Sequence, residues 1–380
     1  MSTRPVLVLL HRWIGVPFAV LLLLQGLSGA AMIFRDDLNR WLHHDALVVT
    51  PAGSHLPVQK LLESVRNRHP DSAVTRIIYP GNADEAFVFW LEPHGPYGPD
   101  ASRFVAVDPY RGTITRDGLL GEWPVEWLFR LHDELLAGKA GANIVGAGAV
   151  ALLLLAAVGP ILWWPGRHAL RRSFSVTFSK GAYRGLRDVH RIAGAIVAIV
   201  LLGSAFTGIF NVWKVPLQPA VRIVLPTIAK PSPAVPARTD SPLLPIDVVV
   251  AAAQARYLQA QVRNVRFPGG HGRVVTVFMS AADSTRPRAS NQVWLNGYTA
   301  EVLGAYEAQK VPAGNRFIDW MLPIHTGEFL GMPGRILFLL AGLTLAGLAT
   351  TGLWQWWERR KLLKARATGT GPAAPLRSRS

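Results

Sequence analysis

Cysteine is absent from this chain of 380 residues. That excludes disulfides, thiolate-held iron–sulfur clusters and the Cys-x-x-Cys-His attachment of haem. Methionine is scarce, at five residues, and Asp plus Glu number 24 against 40 Lys plus Arg. All four charged residue types are missing from the stretches 13–34, 144–164, 192–213 and 336–357. Each is about 20 residues long, enough to cross a hydrocarbon core of about 30 Å at about 1.5 Å per residue. Four membrane-spanning helices are therefore predicted. Buried charges and broken helices, the marks of a transported-substrate path, are missing from them too. No nucleophile–base pair or phosphate loop stands out, which argues against a hydrolase or a kinase.

The charge that is present is unevenly placed. Segments 1–12, 165–191 and 358–380 hold sixteen Lys and Arg against two acidic residues, Asp188 and Glu358. The positive-inside rule places these segments, and both termini, in the cytoplasm. The remaining chain is nearly neutral, so the net charge of +16 reflects topology and gives no reason to expect nucleic acid as a partner. The connections 35–143 and 214–335 are then extracytoplasmic. A signal peptide is the alternative for the first span, since Ser28-Gly29-Ala30-Ala31 offers small residues. Its apolar run is long for a leader, and its opening motif recurs at residue 190, deep inside the chain.

The recurrence is detailed. His11 opens His-Arg-Trp-Ile-Gly and His190 opens His-Arg-Ile-Ala-Gly, with Ser28-Gly29 and Thr207-Gly208 at one common offset. His132 is followed by Gly138, Gly141, Gly159 and Trp163-Trp164; His325 is followed by Gly331, Gly334, Gly352 and Trp356-Trp357, again at equal offsets. Four histidines in two equivalent sets point to axial ligands for two haems, held without covalent attachment. Ligands on opposite membrane faces cannot share one iron. His11 therefore pairs with His190 on the inner side and His132 with His325 on the outer side. Arg12 and Arg191, next to the inner ligands, are candidates for bidentate pairing with haem propionates. Lys139 and Arg335 are the outer candidates. His43 and His44 compete as outer ligands. His168, His55, His69, His94 and His271 have no repeat partner and read as surface residues, and the paired tryptophans read as interfacial anchors.

The soluble segments also correspond. Residues 57–69 and 245–258 have helical periodicity, and alternating runs follow at 86–91 and 104–107, and at 274–278 and 292–295. Turns are expected at 108–112 and 296–300, and one helix on a small antiparallel sheet is expected in each segment. Prolines make 230–245 a stiff linker, and 365–380 reads as a disordered basic tail. Trp90, Tyr97, Tyr110, Trp123 and Trp127 either line an outer platform for a bulky ligand or pack the module cores.

The 11–15 start, the LHDELLAGKAG box at 131–141, the IHTGEFLGMPG box at 324–334 and the paired tryptophans together resemble the PepSY-associated transmembrane helix family over roughly residues 5–364. Within it the chain is most similar to the FoxB-type inner-membrane siderophore reductases. The fold class implied is an α-helical integral membrane protein, with four transmembrane helices in two parallel repeats and two extracytoplasmic α+β PepSY-like modules. The division is 1–35 (first span), 36–131 (first module), 132–166 (outer ligand box and second span), 167–189 (basic loop), 190–214 (third span), 215–324 (second module), 325–358 (outer ligand box and fourth span) and 359–380 (tail). The resemblance further implies two b-type haems and a haem-dependent oxidoreductase of the bacterial inner membrane. It would carry electrons from an unidentified cytoplasmic donor to a periplasmic ferric siderophore. The alternative from a different class is a haem-free membrane protein whose modules bind peptides or restrain a protease.

Overall fold

The uncharged stretches become the middles of four long helices in the computed structural model, which describes residues 3–93, 102–238, 241–270, 272–280 and 286–367. In chain order the helices and strands are α1 (Arg4–Met32), α2 (Arg35–Leu42), α3 (His44–Leu47), α4 (Val58–Arg68), β1 (Ser72–Ile78), β2 (Phe87–Pro93), β3 (Arg103–Val107), β4 (Ile114–Leu119), α5 (Pro124–Glu134), α6 (Gly138–Trp163), α7 (Ala182–Val212), α8 (Lys214–Val224), α9 (Ile246–Arg256), β5 (Val262–Arg266), β6 (Val274–Ser280), β7 (Ser290–Asn296), β8 (Val302–Tyr306), α10 (Ala313–His325) and α11 (Gly331–Ala367). The helices α1, α6, α7 and α11 have the length and apolar composition to cross a membrane. The chain divides into two compact units: Met1–Ile33 with Arg130–Lys214 and Ile324–Ser380, and Phe34–Phe129 with Val215–Pro323.

The first unit is helical. α1 packs on α6 and α11, and α7 packs on the same two helices. Leu22, Leu152, Ala156, Leu201, Ala205, Ala341 and Leu345 form its shared core. Without a hydrophobic force between helices in lipid, close backbone approach supplies the packing. A Cβ on Gly26 would stand 2.7 Å from the Gly342 carbonyl oxygen, and one on Gly342 would stand 2.9 Å from that of Gly26. The helix that carries the third apolar run begins before residue 190. α7 begins at Ala182, and α1 at Arg4, so His190 and His11 lie about two turns inside their helices. Hydropathy marks the hydrocarbon-soluble part of a helix and misses its polar extension. The expected tail from 365 likewise gives way to α11 as far as Ala367, and 368–380 lie outside the described residues.

The second unit departs from the expected pair of separate small sheets. Its strands form one eight-stranded sheet in the order β4-β3-β2-β1-β5-β6-β7-β8. Each soluble segment supplies an antiparallel meander, and the two join where Arg76, Ile77 and Ile78 pair with Arg266, Val265 and Asn264. Alternation decides which face is dry: Phe87, Phe89 and Leu91 of β2, with Val275, Val277 and Met279 of β6, are buried. They share a core with Leu61, Leu62 and Val65 of α4 and Val249 and Ala253 of α9. The turns form where expected. Asp108 accepts from the Tyr110 amide at 2.7 Å, and Asn296 accepts from the Tyr298 amide at 2.9 Å.

The helices α4 and α9, which lie on this sheet, cap one another. Asp247 Oδ1 and Oδ2 each accept a backbone N–H at 2.8 Å, from Val58 and Gln59, at the start of α4. Gln59 Oε1 in turn accepts the Ile246 N–H at 2.9 Å, at the start of α9. Orphan amides at helix starts are thereby satisfied across the sequence. Changing Asp247→Ala leaves two amides without an acceptor and costs about 1–2 kcal/mol. Thermal circular dichroism on the detergent-purified chain should show the α/β unit melting lower, by about 2–4 °C per kcal/mol. An unchanged midpoint would mean that the reciprocal caps contribute nothing.

Candidate functional site

His132 and His325 reach the helical unit on two short helices that the sequence periodicity had not marked. His132 lies near the end of α5, and His325 is the last residue of α10. Pro124 at the first position of α5 was a readable start signal. After each histidine the chain breaks and re-enters a helix. Leu135, Leu136 and Gly138 take positive φ (51°, 58°, 57°), as do Gly327 and Gly331 (75°, 63°). The glycines take this conformation freely, whereas Leu135 and Leu136 adopt it against their own sterics.

Each of the four histidines lies against a glycine of a spanning helix. A Cβ on Gly29 would stand 2.8 Å from Cε1 of His132, on Gly208 3.3 Å from Cε1 of His325, on Gly352 3.3 Å from Cε1 of His190, and on Gly159 3.9 Å from Cε1 of His11. In three cases the residue before the glycine carries a hydroxyl bonded to the ring. Ser28 Oγ lies 3.0 Å from Nδ1 of His132, Thr207 Oγ1 3.1 Å from Nδ1 of His325, and Thr351 Oγ1 2.9 Å from Nδ1 of His190. The role of Thr351 was missed in the sequence.

The hydroxyl protons settle the tautomer. Ser28 donates to the Leu24 carbonyl at 2.6 Å, Thr207 to that of Gly203 at 2.7 Å and Thr351 to that of Gly347 at 2.7 Å. With its only proton committed, each hydroxyl accepts from the imidazole, so Nδ1 carries the hydrogen. His325 Nδ1 also donates to the Ser204 carbonyl at 3.0 Å, an acceptor with no alternative role. The Nε2 lone pairs of these three rings are left free to bind a metal.

One pair of these rings meets. His132 and His325 have centroids 6.3 Å apart with planes at 47°. Two imidazoles on opposite sides of one metal ion, each bonded at about 2 Å, have centroids roughly 6 Å apart. His11 and His190 stand at equivalent places on α1 and α7, each against a glycine of another spanning helix. Among the described residues no cluster of three or more His, Cys, Asp or Glu could hold a metal ion. Two nitrogens per pair are too few for a closed structural zinc site. They fit an iron whose other four ligands come from a macrocycle, as in a bis-histidine haem.

The other candidates separate. Arg12 is half-buried and, among the described residues, has no hydrogen bond or ion pair. Arg191 donates to the Ser173 carbonyl at 3.2 Å and lies 3.6 Å from Asp188, with its Nε buried and unbonded. Arg335, an expected outer propionate partner, bonds the Ile33 carbonyl at 3.0 and 3.2 Å. Lys139 is exposed. His43, the competing outer ligand, is instead buried edge-on against Trp123 in the α/β unit, centroids 4.7 Å apart. His44, His55 and His168 are exposed. His69 is not a surface residue as expected. It bonds Asp117 at 2.8 Å, beside Arg103 at 2.6 Å from the same carboxylate. Trp90 and Trp123 both pack on Phe104, Tyr110 bonds the Ala83 carbonyl, and Trp127 is exposed. His94, Tyr97 and His271 lie outside the described residues. Of the paired tryptophans, Trp164 and Trp357 are exposed, while Trp163 and Trp356 are half-buried.

Residues 8–359 match the model of the PepSY-associated TM region, and the chain belongs to that family. No curated protein matches it.

The glycine contacts are directly testable. Gly29→Ala places a methyl group against His132 and should cost about 1–3 kcal/mol of packing. Gly203→Ala meets nothing within 4 Å and should be neutral. Thermal unfolding in detergent separates the two; equal midpoints would rule out close packing of His132 on α1.

Proposed function

We propose that this member of the PepSY-associated family is a di-haem electron conduit of the bacterial inner membrane that reduces Fe(III) in ferric siderophores at the periplasmic face. The observation that carries this reading is the approach of His132 to His325, together with an Nδ1 hydrogen-bonded to a hydroxyl in three of the four repeated histidines. Two b-type haems held by those pairs would supply one-electron chemistry, taking electrons from a cytoplasmic donor and delivering them to the bound ferric iron. Fe(II) then leaves because the chelator holds it far less tightly.

The chain's own residues supply the rest. His11 and His190 hold the inner site, and His132 and His325 hold the outer one. Held by both histidines of a pair, each haem would supply electron transfer in preference to oxygen binding. Ser28, Thr207 and Thr351 keep three rings in the ligating tautomer. The apolar core of the bundle excludes water from between the sites. Arg12 and Arg191, at the basic ends of α1 and α7, are placed to pair with inner propionates. The charge distribution supports cytoplasmic termini, two halves that cross the membrane in the same sense, and periplasmic placement of the α/β segments. The siderophore-binding surface belongs to that α/β unit.

A pyridine-haemochrome assay on detergent-purified protein should give two b-type haems per chain. His11→Ala and His190→Ala should each abolish one haem, and His132→Ala and His325→Ala the other. Either loss should stop reduction of a ferric siderophore, read with a chromogenic Fe(II) trap. Fully folded protein without haem would sink this reading and favour the peptide-binding regulator.

A further inference from the structure

Of the four repeated histidines, three are held by a hydroxyl; His11 is not, and one residue makes the difference. Ser28, Thr207 and Thr351 precede the glycines that receive His132, His325 and His190. The glycine that receives His11 is Gly159, and the residue before it is Val158. Among the described residues, the buried Nδ1 of His11 has no hydrogen-bond partner. Three-quarters of a repeated device is present, and its missing quarter leaves a polar atom orphaned at the expected place.

We propose that the hydroxyl–glycine pairs are positioning devices that set the donor strength of each ligating imidazole, and that Val158 withholds this device from His11 so that the two metal sites differ electronically. The proposal rests on the haem reading above and deepens it. A hydroxyl accepting from Nδ1–H draws the proton away from the ring and makes the opposite nitrogen a stronger donor. A stronger donor favours the ferric state. Both ligands of the outer pair have that support, whereas only His190 has it in the inner pair. Taken by itself, this difference makes the inner site the more easily reduced.

The geometry also says why one substitution should restore the fourth device. Threonine has the branched shape of valine. Its hydroxyl at residue 158 can donate to the Leu154 carbonyl four residues back, as Thr351 does to Gly347. Its lone pair then meets the orphaned Nδ1 of His11. Thr351→Val performs the reverse experiment on His190.

Spectroscopic redox titration of the haem-loaded full chain tests this, with each couple assigned by its loss in the His11→Ala and His132→Ala variants. Val158→Thr should make reduction of the inner couple roughly tenfold less favourable, about 59 mV for one electron. Haem content and the outer couple should not move. Thr351→Val should shift the inner couple in the opposite direction, and Thr351→Ser should restore it. A merely structural role would alter haem content or thermal stability and leave the midpoint alone. Two bound haems with inner midpoints unmoved by both Val158→Thr and Thr351→Val would overturn the proposal while leaving the conduit standing. A folded parent chain without haem would remove both.

Discussion

An imidazole inside a helical bundle has a ring N–H that must find an acceptor, because lipid and apolar side chains offer none. The spanning helices contain few side-chain groups able to accept it, and a helix carbonyl serves only where the ring reaches it, as Ser204 does for His325. A serine or threonine bonded back to a carbonyl four residues earlier solves the problem locally. Its proton stays within its own helix while its lone pair faces outward, as at Ser28, Thr207 and Thr351. The ring must then lie against the helix surface, and glycine at the next position makes room. Hydroxyl, glycine and histidine thus form one unit spread over two helices, which explains why their spacing recurs.

The α/β unit answers a different constraint. A four-stranded meander with one helix would leave β1 of the first segment, or β5 of the second, as an edge with unpaired backbone groups. Pairing these two strands removes both edges and makes a single sheet. The helices above it are coupled as well, since Asp247 completes the start of α4 and Gln59 that of α9. Each segment therefore supplies groups that the other needs. Lengthy separation of the segments in sequence is tolerated because loop-closure entropy grows slowly with length.

What could be read from the sequence follows from which interactions are local. The spans were legible because their composition must match hydrocarbon over about 20 residues. The turns at Asp108 and Asn296 were legible because each side chain bonds a backbone amide two residues away. The β1–β5 junction was not, since it joins strands from different segments and neither strand alternates cleanly: β1 carries a register irregularity between Val74 and Arg76. The beginning of α7 was hidden because residues 182–189 lie outside the apolar run while remaining helical. Thr351 was hidden by its ordinariness. Thr344 and Thr350 of the same helix also bond back to carbonyls four residues earlier, so the hydroxyl that meets a histidine carries no local mark.

The asymmetry of the helical unit is concentrated at one end. At the other end of the helical unit His132 and His325 match in their glycine contacts, their hydroxyl partners and the helix break that follows each. For the other two, Val158 stands where Thr351 would be expected by equivalence, so the ring of His11 is unsupported where that of His190 is held. The neighbouring arginines differ in the same way: Arg191 is tied to Ser173 and flanked by Asp188, while Arg12 has no partner among the described residues. Both differences leave the His11 side less constrained than the His190 side.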